Sequence, residues 1–163
     1  MKKIIGIFMM VGLLALAACA SPVAKEIERY VNEDLKPLAD MEDEVIAEYD
    51  SVIGDNHTDD YETYTHIDEV VLPKYRDFID KLEAIKLETP EVREVHETYI
   101  SAANKQFNAF GKILSALEEG DFAIIEEANE MLEEARRGMR DYQAQLESLA
   151  KENGVELVDE EEE

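Results

Sequence analysis

Apolar residues recur at alternating steps of three and four along four long segments of the chain. Such spacing places them on one face of an α-helix and predicts four helices. The segments cover residues 22–52, 60–85, 89–120 and 121–154. They are similar in length, their connections are short, and no segment shows the alternation of a β-strand. The pattern therefore predicts an all-α fold, an up-down-up-down antiparallel four-helix bundle.

Residues that cap and break helices separate the four segments. Thr89 followed by a proline marks one helix start, and Asp59 in the cap position marks another. The turn at Gly120 and Asp121 carries the most weight in this prediction. Without that turn, the last two segments would fuse into one rod of about 60 residues, whose apolar seam would lack a partner. We therefore expect a helical hairpin there.

The N-terminus has the three parts of a secretory signal. Lys2 and Lys3 supply positive charge, residues 4–18 are apolar, and small residues precede Cys19. A plain membrane-spanning helix is the alternative, but an apolar run of this length falls short of the roughly 20 residues that a span needs. Residues 1–18 are therefore predicted to be a cleaved signal peptide.

The segment from Leu16 to Cys19 reads Leu-Ala-Ala-Cys and resembles the lipobox of bacterial lipoproteins. The resemblance implies that the Cys19 thiol carries a diacylglycerol, that the chain is cut before Cys19, and that the new amino group can be acylated. Cys19 is the only cysteine, so an internal disulfide is impossible. The resemblance implies an extracytoplasmic protein anchored to the cell membrane, or to the outer membrane in a Gram-negative source.

The chain is strongly acidic. Its net charge is −24, and removing Lys2 and Lys3 with the signal leaves −26 for the mature chain. Such a surface repels nucleic acids and anionic lipid head groups, so we expect no nucleic-acid partner and a membrane tether through lipid alone. Electrostatic partners should be cationic.

These observations divide the chain into four parts. Residues 1–18 form the signal, 19–21 the lipidated cysteine and a short linker, 22–154 the helical bundle, and 155–163 an acidic disordered tail. The mature part resembles, in architecture only, the small helical envelope-anchored lipoproteins of Gram-positive bacteria. Some members of that group are described as cell-wall-binding proteins.

Acidic loops are predicted to meet at the end of the bundle farthest from the lipid. A cation site there would use Asp55, His57, Asp59 and Asp60. Carboxylates suit hard cations, but the ligand spacing of a calcium-binding hand is absent. Acidic residues also stabilise helix starts by capping and by interaction with the helix dipole. A solvated, capped loop is therefore the simpler interpretation.

A second candidate site is a polar waist where Pro37 and Pro73 would lie at similar heights. Each proline frees a backbone carbonyl and tends to kink its helix. The spacing places four polar residues of the last two helices at about this level: Asn104, Gln106, Arg136 and Arg137. They predict either a small-ligand pocket or a polar device that fixes helix register.

No catalytic constellation stands out in the sequence. The Glu-x-x-His pairs of di-iron proteins are missing, as are a phosphate-binding loop and an activated nucleophile. His96 and several tyrosines fall on the seam, where packing with a hydrogen bond is expected. We therefore expect no cofactor and no enzyme. The first hypothesis is a helical interaction module that binds an envelope protein or wall component; the alternative is a cation- or small-ligand-binding lipoprotein.

Overall fold

The computed structural model describes residues 21–157, and within them the fold is all helical, as predicted. Helix α1 covers residues 22–50, α2 covers residues 60–83, α3 is Pro90–Glu119 and α4 is Phe122–Glu152. A short 3-10 turn, Gly54–Asn56, lies between α1 and α2. The four predicted helices are confirmed, with α1 and α2 each ending two residues earlier than expected.

Both α1 and α2 contain a π-helical turn next to a proline. These turns are Tyr30–Leu35 in α1 and Ile67–Val71 in α2. Pro37 and Pro73 lie two residues beyond these turns, each as the second residue of the next α-helical stretch. Proline lacks an N–H and its ring clashes with the carbonyl four residues earlier. A wider π turn accommodates both effects without ending the helix.

Caps define the helix ends. Ser21 Oγ accepts from the Ala24 N–H at 3.0 Å, and Asp59 accepts from the Glu62 N–H at 2.8 Å. At the predicted hairpin, Gly120 has the left-handed φ of +64°, which a residue with a side chain adopts only at a cost. Asp121 then caps α4. The turn between α3 and α4 is therefore confirmed.

Polar contacts connect each helix to the next one along the chain. As residue numbers rise along one helix, those of their partners on the other helix fall. Between α3 and α4, Lys105 pairs with Glu134 at 2.5 Å, while Lys112 pairs with Glu127. At one end of the molecule, Ser21 Oγ lies 3.1 Å from the Asn153 side-chain oxygen. The start of α1 is therefore beside the end of α4.

The prediction that Pro37 and Pro73 share one level is wrong. Lys74, next to Pro73, pairs with Glu44 at 2.5 Å and with Glu48 at 2.7 Å. Pro37 lies at least seven residues before these partners, which is about 10 Å along the helix axis. The π turns allow each helix to adjust by itself, so the prolines need not be aligned.

The core consists of side chains from all four helices. Its largest fully buried members include Tyr30, Tyr75, Phe78 and Phe110. The close approach of α3 and α4 depends on Gly138, where an added Cβ would lie 2.9 Å from the Ala102 Cβ. Beyond α4, Val155 and Leu157 still pack against the core, in the first part of the predicted tail.

The signal peptide, Cys19 and residues 158–163 lie outside the described residues. Among the helices of residues 21–157, none has the length and apolar character needed to cross a membrane.

Candidate functional site

A hydrogen-bonded cluster lies in the core around His96. Its Nε2 is 3.1 Å from the Leu82 carbonyl, and its Nδ1 is 2.9 Å from the Tyr30 hydroxyl. A carbonyl only accepts, so Nε2 carries the proton and the Tyr30 hydroxyl donates to Nδ1. Burial lowers the pKa of His96 and keeps the ring neutral. This confirms His96 as a packed, hydrogen-bonded residue.

The neighbouring part of the core holds a carboxyl group among phenols. The Tyr99 hydroxyl donates to Glu42 at 2.7 Å, and the Tyr99 ring stacks on Tyr142 at 4.5 Å between centroids. Although Glu42 is only partly buried as a whole residue, burial of its carboxyl group raises its pKa to about 7. The buried Tyr75 hydroxyl has no hydrogen-bond partner among the described residues. Glu42 thus accepts from one phenol, and the Tyr75 hydroxyl donates to no acceptor among the described residues.

A second buried carboxylate, Glu26, lies near the start of α3. It accepts from the Glu88 N–H at 2.6 Å, from the Thr89 N–H at 2.7 Å and from the Thr89 hydroxyl. Burial acts to raise the pKa of Glu26, but these donors and nearby Arg29 outweigh it, so the pKa is lowered. Thr89 occupies the predicted cap position, yet its hydroxyl binds Glu26 instead of capping its own helix.

The acidic loop does not gather its predicted ligands. Asp59 is engaged as the cap of α2, and Asp60 lies 3.3 Å from His57. Asp55 is exposed in the 3-10 turn. Within residues 21–157, no group of three or more histidine, cysteine, aspartate or glutamate side chains is arranged to hold a metal ion. The cap formed by Asp59 matches the simpler interpretation, in which acids of this loop stabilise a helix start.

The predicted waist residues contact different helices. Asn104 donates to Glu83 of α2 at 3.0 Å. Arg136 pairs with Glu133 of its own helix at 2.7 Å and acts electrostatically on Asp50 of α1. Gln106 is half-buried and Arg137 is exposed. The structure does not bring the four residues together, because residues at one height on two helices can still face different neighbours.

A groove runs along the side of the molecule between α2 and α3, with a volume of about 190 Å³. Arg76 and Ile79 line it from α2, and Asn104, Phe107 and Asn108 line it from α3. The Arg76 guanidinium lies over the Phe107 ring, 4.5 Å from its centroid. Of these residues, Asn104 was a predicted site residue, whereas Arg76 and Phe107 were not.

The family of the chain follows from its full-length similarity. A family model described as the EMYY-motif containing lipoproteins matches residues 1–162. This chain belongs to that family. The letters E-M-Y-Y do not occur in direct succession in this sequence. No curated protein and no solved structure matches the chain.

As an EMYY-motif lipoprotein, the chain associates with a membrane through a lipid anchor and resides at the bacterial cell envelope. This agrees with the lipobox at Leu16 to Cys19.

Proposed function

We propose that this lipoprotein is a non-enzymatic interaction module whose end farthest from the lipid docks on a basic surface of another envelope component. The observation that carries the proposal is Tyr61. Among the described residues it is the exposed large hydrophobic side chain, with 80% of its surface accessible to solvent. Exposed tyrosines are frequent anchors of protein interfaces because they bury a large rigid ring and retain a polar hydroxyl.

The proposal includes the arrangement of the helices as an up-down-up-down bundle. Reversed-order contacts between α3 and α4 support it, as does the Ser21–Asn153 contact at one end. At the other end, the Tyr64 hydroxyl donates to Glu118 at 2.6 Å. Residues 22–50 span about 43 Å at 1.5 Å per residue, which separates the start of α1 from the end of the bundle that carries Tyr61.

Carboxylates surround Tyr61 on the chain. Asp60 and Glu62 flank it, and Asp59 precedes them. An aromatic anchor with an acidic rim is complementary to a pocket with a basic rim, and opposite charges accelerate encounter between such surfaces. In this proposal the carboxylates of the acidic loop attract a basic partner surface, and they need no bound metal to do so.

The non-enzymatic part of the proposal draws on the core. The nitrogens of His96 are both hydrogen-bonded, and burial raises the pKa of Tyr30 and Tyr99 well above that of free tyrosine. Such phenols remain protonated at neutral pH. A catalytic nucleophile or base would instead need an unprotonated atom that is available to the substrate. These groups hold the helices together.

Site-specific photo-crosslinking tests the docking. A photoreactive phenylalanine analogue would replace Tyr61 in one variant and Arg140, an exposed residue of α4, in a matched control. We expect a discrete crosslinked adduct in intact cells from position 61 and none from position 140. Adducts of equal yield from both positions, or from neither, would contradict docking through Tyr61.

A small-ligand role is the second candidate function, and the groove between α2 and α3 is the observation that favours it. In this second proposal a ligand would bind in the groove and not at the predicted polar waist.

A further inference from the structure

The groove between α2 and α3 has a cationic end. Lys74 and Lys81 of α2 are each paired with a carboxylate, whereas the partner that the structure gives Arg76 is the Phe107 ring. Phe107 in turn stacks nearly parallel on Tyr75, with 6.4 Å between ring centroids. The guanidinium carbon therefore lies over a ring that itself packs on Tyr75, and the planar fork of N–H donors in a guanidinium suits a carboxylate.

A carboxylate lies next to the groove, bonded to one of the residues that line it. Asn104 donates to the Glu83 carboxylate at 3.0 Å and holds it beside the groove. Arg76 and Glu83 lie seven residues apart on α2, and this places them on one face, about 10 Å apart along the axis. A cation thus lines the groove, and an anion lies about two helical turns away on the same face, bonded to the lining residue Asn104.

The wall between these two charges offers both amide and apolar contacts. Asn108 is exposed one helical turn beyond Asn104, and its carboxamide can both donate and accept. Ile79 is buried beneath the groove, and Phe107 is half-buried. Peptide groups can bond to the amide of Asn108, and small aliphatic side chains can pack on the apolar surface of Ile79 and Phe107.

The size and charge of the molecule narrow the ligand further. A volume of 190 Å³ is below the roughly 300 Å³ at which typical small-molecule pockets begin. The mature chain carries −26, so a simple anion would be repelled, whereas a zwitterion has no net charge. An extended dipeptide spans about 7 Å, and a hydrogen bond of about 2.8 Å at each end extends its reach to roughly 13 Å.

We propose that this groove binds a small zwitterionic peptide of dipeptide size. Its terminal carboxylate binds Arg76, its amino group binds Glu83, and its side chains rest on Ile79 and Phe107. The groove lies on the flank of α2 and α3 and does not include Tyr61, so this proposal can fail while the docking proposal holds, and the reverse.

NMR titration of the full lipoprotein in detergent micelles tests the groove, with the side-chain amides of Asn104 and Asn108 as reporters. The probes are alanyl-alanine, its C-terminal amide and its N-acetyl form. We expect alanyl-alanine to shift both reporters. Each modified dipeptide should bind about tenfold more weakly or worse, because each loses one charge-assisted hydrogen bond.

Matched variants locate the binding. Arg76→Gln should weaken alanyl-alanine binding about tenfold or more, and Glu83→Gln should remove the preference for a free amino group. Arg140→Gln, at an exposed position of α4, should leave binding unchanged. Unchanged reporters with alanyl-alanine, equal binding of all three dipeptides, or equal binding by Arg76→Gln and the parent protein would overturn the proposal.

Discussion

Glu26 and Glu42 both extend from α1 into the interior, and their pKa values shift in opposite directions. Glu26 has two backbone N–H groups, a hydroxyl and nearby Arg29 around it, and its pKa is lowered. Glu42 has one phenol, that of Tyr99, and its pKa is raised to about 7. Burial opposes ionisation at both places. At Glu26 the donors and Arg29 outweigh it, whereas at Glu42 the single phenol does not.

The difference gives two parts of α1 different roles. Around Glu26 a carboxylate joins α1 to the loop before α3 and meets the positive end of the α3 dipole. Around Glu42 the core contains an under-bonded polar group beside the orphaned Tyr75 hydroxyl. The first region depends on a negative charge, whereas the second is more stable without one.

Removing the Glu26 carboxylate should have the largest effect. We expect Glu26→Ala to lower the free energy of unfolding at pH 7 by about 3 kcal/mol, because several donors lose a charged acceptor. Glu26→Gln should lower it by about 2 kcal/mol. Chemical denaturation measures both, and Glu33→Gln, an exposed site on α1, should change stability by less than about 0.5 kcal/mol.

The Glu26 contribution should depend on pH in one direction. A lowered pKa in the folded state means that the stabilisation is present above the unfolded value of 4.5 and is lost as pH falls through the folded pKa. The gap between the parent protein and Glu26→Gln should therefore narrow towards pH 3. A gap that stays constant would show that the charge of Glu26 is unimportant.

Glu42→Gln should have the opposite effect. The folded state binds a proton at Glu42 more tightly than the unfolded state, so stability falls as pH rises from 4.5 to about 7. We expect Glu42→Gln to raise the free energy of unfolding by about 2 kcal/mol at pH 8 and by little at pH 5. Urea denaturation at the two pH values measures this, and destabilisation at pH 8 would contradict it.

Two glycine substitutions test the packing that supports the Glu42 region. Gly138→Ala would press its Cβ against Ala102 and separate α3 from α4 near the Tyr99–Tyr142 stack. We expect a loss of about 1–2 kcal/mol, despite the better helix propensity of alanine. Gly111→Ala is the matched control, since its Cβ would meet nothing within 4 Å, and it should gain about 0.5–1 kcal/mol. Equal thermal shifts would refute the close contact.

A pair of tyrosine substitutions should have the smallest effects. They compare a buried hydroxyl that has a hydrogen-bond partner with one that has none. Tyr75→Phe removes a buried hydroxyl without a partner, so stability should stay the same or rise by up to about 1 kcal/mol. Tyr99→Phe removes the hydroxyl bonded to Glu42 and should cost about 1 kcal/mol at pH 8. Thermal denaturation compares the two variants, and a reversed order would count against the hydrogen-bond assignments.

The helices and their caps could be predicted from local patterns, since Asp59 and Gly120 act within a few residues of their own positions. The partners of Glu26 could not, because they lie 62 and 63 residues away. The sequence does hold one signal for Glu42. Residues 38, 42, 45 and 49 recur at steps of four, three and four, which places Glu42 on the apolar seam.

The residues of the groove, like the partners of Glu26, are distant in sequence and could be predicted only in part. Asn104 could be selected as a polar residue midway along its helix, but Arg76 and Phe107 meet only once α2 packs against α3. Helical spacing gives a residue's face and height, and does not identify which neighbouring helix that face will meet.

The most direct test of the contrast within α1 is an NMR titration that follows the side-chain carboxyl carbons of Glu26 and Glu42 in one sample. We expect Glu42 to titrate near pH 7 and Glu26 below the ordinary value of 4.5, with both resonances assigned by the Glu→Gln variants. Titration of both groups together, near pH 4.5 or near pH 7, would show that donor supply does not separate them.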